Sequence, residues 1–118
     1  MTESVDRILL HLEGGQRRVV DPAEIYYLEV LEEATRIRLR SARALVDMRP
    51  AAELVPLLEP YGFLQIHREY VVNLWRIRDI RRRANGRDWE VKLQPPVNQV
   101  LPVSRGALAK LWRAFEGD

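Results

Sequence analysis

Arginine is the residue type in this sequence with the greatest capacity to bind a ligand. Arg36, Arg38 and Arg40 alternate with apolar residues, so a β-strand here would carry all three on one face. A guanidinium is a planar group with five donors that suits phosphate and the edge of guanine. As a set these like charges favour an anionic partner, whereas a solvated sheet face is the alternative for any single arginine. The further basic positions of this footprint are Arg68, Arg76, Arg78 and residues 81–83.

The charge of the chain is uneven along its length. The 118 residues carry a formal net charge of +2. Residues 1–34 hold three basic and eight acidic side chains, a net charge of −5, which leaves +7 for residues 35–118. Arginine supplies 17 of the 19 basic residues. This composition favours a nucleic acid as the partner, although the arginine codons of a GC-rich genome would produce the same count.

The residues that usually carry catalysis are poorly arranged for it. The sequence has no P-loop, no glycine-rich dinucleotide turn and no histidine spacing typical of a metal site. His11 and His67 fall on separate predicted elements, and each is interpreted as structural. Glu32 and Glu33 are adjacent, so on a strand they would point to opposite faces. We therefore expect no enzyme activity, no cofactor, no metal and no small-molecule substrate.

Length and hydropathy bound the class of protein. A chain of 118 residues that is 47% hydrophobic and 31% charged fits one globular domain with its own core. No apolar run approaches the roughly 20 residues that span a bilayer, and the N-terminus lacks a signal-peptide pattern. The sequence contains no cysteine, which agrees with a reducing compartment. These features predict a cytoplasmic location.

Alternation and turn residues predict a β-rich chain. Gly14-Gly15 and Asn85-Gly86 are typical of hairpin turns, and Asp21 should cap a short helical turn. Strands are expected at residues 5–12, 17–20, 25–31, 35–40, 43–48, 76–82, 88–93 and 97–103.

Two short helices complete this prediction. Residues 52–60 place Leu54, Leu57 and Leu58 on one stripe, and Gly62 is a natural stop after them. Ser104 should cap the second helix. The apolar side of that helix would carry Leu108, Leu111, Trp112 and Phe115. The sum is an α+β fold with mostly antiparallel sheet.

Three ordered segments carry a more specific signal. Residues 63–73 read FLQIHREYVVN, residues 101–105 read LPVSR before the second predicted helix, and residues 24–29 read EIYYLE in an early strand. In residue type and order these segments resemble the LytTR family of bacterial DNA-binding domains, and the likeness covers residues 5–115. The resemblance implies a single LytTR-like DNA-binding domain over residues 1–118, with no receiver domain.

The resemblance also implies an architecture and a way of binding. The expected fold is an elongated stack of small antiparallel sheets with two short flanking helices, and the expected function is sequence-specific regulation of transcription. Loops between strands, rather than a recognition helix, would enter successive major grooves of double-stranded DNA. His67 and Asn73 would hold the shapes of their loops. Carried over by position, the base-reading loops correspond to Thr35 and Arg36, to Arg68, and to Arg105 after Ser104. The basic footprint adds Arg38 and Arg76 to the expected DNA-binding residues.

Some positions depart from the family pattern. Gln65 stands where arginine is usual, and Glu69 stands where serine is usual, so a carboxylate would lie near phosphate. Glu32 and Glu33 add two negative charges to the loop before Thr35. These changes motivate an alternative, in which the domain works as a protein-interaction module. A homodimer on DNA and a regulatory protein partner are further expectations.

RNA binding is the less favoured form of nucleic-acid recognition. Proteins that read RNA sequence commonly stack unpaired bases on exposed aromatic side chains. Trp75, Trp89 and Trp112 lie in apolar patterns that predict burial. The sequence therefore favours double-stranded DNA over RNA.

Overall fold

Short strands dominate residues 6–41 and 43–117, which are the residues that the computed structural model describes. The strands are β1 Ile8–His11, β2 Arg17–Val20, β3 Ile25–Val30, β4 Thr35–Leu39, β5 Ala44–Asp47, β6 Phe63–His67, β7 Tyr70–Asn73, β8 Ile77–Arg82, β9 Trp89–Leu93 and β10 Val100–Val103. Helix α1 spans Ala51–Leu58 and helix α2 spans Arg105–Glu116. The prediction of a β-rich α+β chain with two short helices is confirmed. Val5, where the first predicted strand begins, lies outside the described residues.

The strands form three antiparallel sheets. The central sheet has the strand order β5-β4-β3-β7-β6, and it lies between the β1-β2 hairpin and the sheet β10-β9-β8. Single backbone hydrogen bonds join the edges: Met48 N donates to His11 O, and Ser104 N donates to Ile66 O, each over 2.8 Å. The described residues extend over 46 × 33 × 26 Å. The expected elongated stack of small antiparallel sheets is confirmed.

The central sheet has a hydrophobic core on each face. Ile25, Leu28 and Val71 pack with α1 and the β1-β2 hairpin, whereas Tyr26 and Val72 pack with α2 and the third sheet. A β-bulge between residues 25 and 27 keeps Ile25 and Leu28 on one face although they are three residues apart. Burial on both faces explains the nearly unbroken apolar runs of β3 and β7.

Helix α1 is shorter than the predicted helix at residues 52–60. It ends at Leu58, and residues 59–61 form a separate 3₁₀ turn. Pro60 has no N–H to donate to the carbonyl four residues earlier, so the α-helical ladder stops before it. Gly62 then ends the turn with a φ of +89°, as predicted. Neither helix in the described part of the chain is long and apolar enough to cross a membrane.

Two predicted strands begin after a short turn in the structure. The strand expected from residue 76 begins at Ile77, because residues 74–76 form a 3₁₀ turn. The strand expected from residue 97 begins at Val100, after a turn in which Asn98 has a φ of +53°. In the second turn, Val97 continues the apolar alternation, and the sequence therefore predicts an earlier start than the structure shows.

Trp75 corrects the prediction that the tryptophans are buried. Trp89 and Trp112 are partly buried and pack edge to face, with ring centroids 5.2 Å apart. Trp75 is 78% exposed. It lies in the turn at residues 74–76, where the chain leaves the extended conformation on which the predicted alternation depended. The argument against an exposed aromatic side chain therefore fails at this position.

Candidate nucleic-acid interface

Three connections meet at one end of the central sheet. Val30 N, at the end of β3, donates to Glu69 O in the β6–β7 turn over 2.8 Å. The bond from Ser104 N to Ile66 O brings the start of α2 beside the end of β6. We call this end, formed by residues 31–36, 67–69 and 104–106, the loop end. It gathers Arg36, Arg68 and Arg105 from three distant parts of the sequence.

The β6–β7 turn presents Arg68 and Glu69 to solvent. His67 Nδ1 accepts a hydrogen bond from Glu69 N over 3.1 Å, and the imidazole packs beside Tyr70 with ring centroids 5.8 Å apart. These contacts fix the turn from inside. A register shift between Gln65 and His67 marks a bulge at its edge, and such bulges commonly re-aim a side chain beside a functional site. Within the described residues, the Arg68 guanidinium has no hydrogen-bond or ion-pair partner.

The start of α2 presents Ser104 and Arg105. Ser104 occupies the N-cap position, but its side chain makes no capping hydrogen bond, which corrects the predicted cap. Its backbone N–H instead secures the loop to β6, and its exposed hydroxyl faces solvent. An open groove runs between this loop and the β6–β7 turn. Its lining residues are Gln65, His67, Arg68, Ser104, Gly106, Ala107 and Lys110.

The β3–β4 turn contributes Arg36 but not Thr35. Thr35 is fully buried, and its hydroxyl donates to Arg49 O over 2.9 Å. The expected DNA contact of Thr35 is therefore corrected, because this side chain anchors β4 to the chain before α1. The alternation of side chains along β4 could have predicted this burial, because it places Thr35 on the same face as Ile37. Arg36 is exposed and its Nη1 lies 2.8 Å from Glu29 Oε1.

The two other predicted arginines lie away from the loop end. Arg38 shares the sheet face of Arg36, is partly buried and donates through Nε to Leu39 O over 3.2 Å. Arg76 follows β7 at the opposite end of the sheet. Its Nε and Nη2 donate to Ala23 O over 2.9 and 2.6 Å, and its guanidinium lies 4.9 Å from the centroid of the Tyr26 ring. The DNA contact of Arg76 stays a prediction, and in the structure two of its donor atoms and one face of its guanidinium hold the fold together.

Asn73 is buried at that opposite end, where its side-chain amide makes several hydrogen bonds. Its Oδ1 accepts from Trp75 N over 3.0 Å and so caps the 3₁₀ turn at residues 74–76. Its Nδ2 donates to Ile25 O over 2.8 Å and to Pro22 O over 3.4 Å. The amide therefore fixes the exit of β7 against the start of β3, where carbonyl and amide groups would otherwise be buried without partners.

The β8–β9 hairpin carries the arginine run at residues 81–83. Arg81 and Arg83 both pair with Glu90, at 2.8 and 3.2 Å. The hydrogen bond from Arg81 is the main reason that the pKa of Glu90 lies below its ordinary value. The carboxylate therefore stays charged and offsets part of the positive charge of the arginine run. Arg87, at the hairpin tip, instead lines a groove with Ser104 and Arg105. No sequence pattern linked Arg87 to this place, because the two segments meet only through the pairing of β9 with β10.

Two tyrosines border the arginines on the face of the central sheet. Tyr27 lies opposite Arg38 in the β3–β4 register and packs edge to face with Tyr70, with centroids 6.1 Å apart. Burial is the main cause that raises the pKa of Tyr27 and of Tyr70 above the ordinary value. Both phenols therefore stay neutral at physiological pH and add no negative charge near the loop end.

Comparison with known proteins identifies the family. The model of the LytTr DNA-binding domain matches residues 15–116. The chain belongs to the LytTR family. It is therefore a DNA-binding domain.

Solved and curated relatives agree with this LytTR assignment. A LytTr DNA-binding domain from Bacillus cereus superposes with a TM-score of 0.74 at 18% identity, covering 98% of this chain and all of that one. The CO-responsive transcriptional regulator RcoM of Rhodospirillum rubrum is 28% identical over 98 residues, 83% of this chain. The sensory transduction protein LytT of Oceanobacillus iheyensis is 26% identical over 113 residues, 96% of this chain. The matches span only 40% and 45% of those two longer proteins.

Proposed function

We propose that this LytTR domain recognises a specific DNA sequence by placing the connections of its loop end in successive major grooves. The observation that carries the proposal is the hydrogen bond from Ser104 N to Ile66 O, which sets Arg68 and Arg105 on neighbouring loops. Both guanidinium groups are exposed, and neither has an ion-pair partner among the described residues. They are therefore free to form bidentate contacts with guanine O6 and N7.

The surrounding basic residues have a different role in this proposal. Arg36 and Arg38 on the sheet face, Lys110 on α2 and Arg87 at the hairpin tip contact phosphates and position the domain. Arg36 exchanges Glu29 for a phosphate, which costs little because an exposed ion pair of this kind contributes at most about 1 kcal/mol.

A binding-site selection from random DNA, followed by anisotropy titrations, tests the proposal. Selected sequences should share a motif, and a repeated motif would indicate that two copies bind. The logarithm of the association constant should fall with the logarithm of salt concentration, with a slope of about −0.9 for each phosphate contact. Binding with no preferred sequence and no dependence on salt would overturn the proposal and favour a protein-interaction module.

Replacing Glu69 with serine should strengthen DNA binding. The Glu69 carboxylate is 57% exposed, and its Oε2 lies 4.0 Å from Nδ1 of the partly buried His67 imidazole. Removing a charge a few ångströms from phosphate should raise affinity about two- to tenfold, with a larger effect at low salt. Anisotropy titrations on the selected site at two salt concentrations measure this change.

Glu116→Ser is the matched control for Glu69→Ser. It makes the same change in net charge at the last residue of α2, which begins at the loop end and runs away from it. Its effect on affinity should be much smaller. Equal gains from the two variants would show that net charge, rather than the position of Glu69, sets the affinity.

A further inference from the structure

An exposed tryptophan stands at the end of the central sheet opposite the loop end. Trp75 is the most exposed of the large hydrophobic residues in the described part of the chain, at 78%. Its backbone is held in place, since Trp75 N donates to Asn73 Oδ1 and Trp75 O accepts from Gln94 Nε2. The pyrrole edge of the indole lies against Gly62, where a Cβ would come within 2.9 Å of Nε1. The ring is thus seated on the backbone while most of its surface faces water.

The indole lines an open cavity with a volume of about 660 Å³. Tyr61, a second aromatic residue, also lines it, together with Pro22 and Ala23. This volume is within the range of pockets that hold a ligand or an inserted side chain. Tryptophan is also the residue most enriched among the energetically dominant positions of protein interfaces. We call this cavity, with walls from Asp6, Asp21, Tyr61, Trp75 and Arg76, the Trp75 pocket.

The charges around the Trp75 pocket favour a cationic guest. Asp6 and Asp21 are both exposed at its rim. Asp21 Oδ1 accepts from Ala23 N over 2.9 Å, which leaves Oδ2 available. Arg76 offers one positive charge, but its Nε and Nη2 are occupied by Ala23 O and one face of its guanidinium by the Tyr26 ring. The rim therefore keeps a net charge of −1 beside an accessible indole face, an arrangement that attracts a cation and repels phosphate.

The position of the Trp75 pocket separates it from the proposed DNA contacts. Strand β7 runs from Tyr70, next to the β6–β7 turn, to Asn73, next to Trp75. Four extended residues span roughly 13 Å. A guest in the Trp75 pocket would therefore leave the loop end free.

We propose that the Trp75 pocket is a docking site for a partner protein, which inserts an arginine side chain between Trp75 and Tyr61. The guanidinium stacks on the indole face and donates to Asp21 Oδ2 and the Asp6 carboxylate. Arginine fits better than lysine because its planar group stacks on an aromatic ring while it donates to carboxylates at its edge. The site is independent of DNA recognition, and a DNA-bound copy can use it.

An NMR titration tests the chemistry of the pocket. N-acetyl-argininamide is added to ¹⁵N-labelled protein, and the indole N–H resonances of the three tryptophans are followed. The Trp75 resonance should shift saturably while those of Trp89 and Trp112 stay in place. The neutral isostere N-acetyl-citrullinamide should produce no such shift. An equal response to both probes, or an equal response of all three tryptophans, would overturn the proposal.

A peptide selection tests the kind of partner. A random heptapeptide library is panned on the protein and counter-selected on the Trp75→Ala variant. Enriched peptides should carry arginine and bind Trp75→Ala and Asp21→Asn about tenfold more weakly than the wild type. Peptides enriched without basic residues, or peptides that bind all three proteins equally, would contradict the proposal.

The two variants are chosen to preserve the fold. Trp75 contributes little buried area, and asparagine at residue 21 can still accept the hydrogen bond from Ala23 N. Both variants should keep the DNA affinity of the wild type, which confirms that they are folded. A wild-type protein that failed to bind DNA but still gave the Trp75-dependent peptides would refute the proposed DNA recognition alone.

Discussion

Replacing Asp47 with alanine is expected to lower the free energy of unfolding by about 3 kcal/mol. Its side chain is completely buried. Oδ1 accepts from Arg49 N and Arg49 Nε over 2.9 Å, while Oδ2 accepts from His11 N over 2.9 Å and Arg49 Nη2 over 2.8 Å. Arg49 Nη2 also donates to Leu9 O. Alanine would leave two backbone N–H groups and a partly buried guanidinium without this acceptor, and β1 would lose its side-chain hydrogen bond to β5.

Urea denaturation followed by circular dichroism measures this loss. Asp79→Ala is the control, because Asp79 is half exposed and lies 3.7 Å from Arg78. An exposed pair of this kind contributes at most about 1 kcal/mol, so the control should unfold close to the wild type. Equal losses in the two variants would contradict the role assigned to Asp47.

The same carboxylate predicts how stability depends on pH. Burial alone would raise the pKa of Asp47, but hydrogen bonds from the Arg49 side chain and from the backbone N–H groups of His11 and Arg49 outweigh it and lower the pKa below 3.8. A carboxyl whose pKa is lower in the folded state than in the unfolded state stabilises the fold at pH values above the unfolded-state pKa. This stabilisation is lost as the pH falls through the folded-state pKa. The stability difference between the wild type and Asp47→Asn should therefore be constant down to about pH 5 and shrink below about pH 4.

Replacing Arg105 with alanine is expected to relax base preference at one position of the DNA site. A bidentate arginine–guanine contact contributes about 1–3 kcal/mol of discrimination, so the preference for guanine there should fall about five- to 150-fold. Arg68→Ala should act in the same way at a second position. Arg36→Ala should instead lower affinity uniformly across sequences and reduce the salt slope by about one.

Competition titrations with single base-pair variants of the selected site separate these outcomes. Arg113→Ala is the matched control, because Arg113 lies in the last turn of α2, on the same helix as Arg105 but away from the loop end. It should change neither affinity nor base preference by more than about twofold. Loss of affinity from Arg105→Ala without any change in base preference would assign Arg105 to phosphate contact.

Local sequence patterns predicted most of the fold because they depend on neighbouring residues alone. Alternation predicted a strand over residues 35–40, and β4 spans Thr35–Leu39. Asp21 caps its turn as expected, with Oδ1 accepting from Ala23 N. The same patterns failed where a short turn interrupts a strand. Trp75 continues an apolar pattern in sequence, but the cap from Asn73 bends the chain and turns the indole out.

The candidate site was harder to predict than the fold, because it depends on contacts between residues that are distant in the sequence. The sequence named Arg36, Arg68 and Arg105, and the structure brings their loops to one end of the sheet. It could not show that Arg76 is held by Ala23 O, because the two residues meet only through the pairing of β3 with β7. Nor could it place Arg87 beside Arg105, since that contact requires the third sheet to form.

The central sheet, with a core on each face, limits how the length of this chain can vary among related proteins. Val71 and Val72 are neighbours on β7 whose side chains belong to different cores. One residue inserted into β7 would exchange the two faces and place each side chain in a space shaped for the other. Insertions in β7 should therefore strongly destabilise the fold, whereas the hairpin tip at residues 84–87, with its exposed residues, should accept them. Length differences among relatives should accumulate at such tips, where they alter reach along the DNA without disturbing either core.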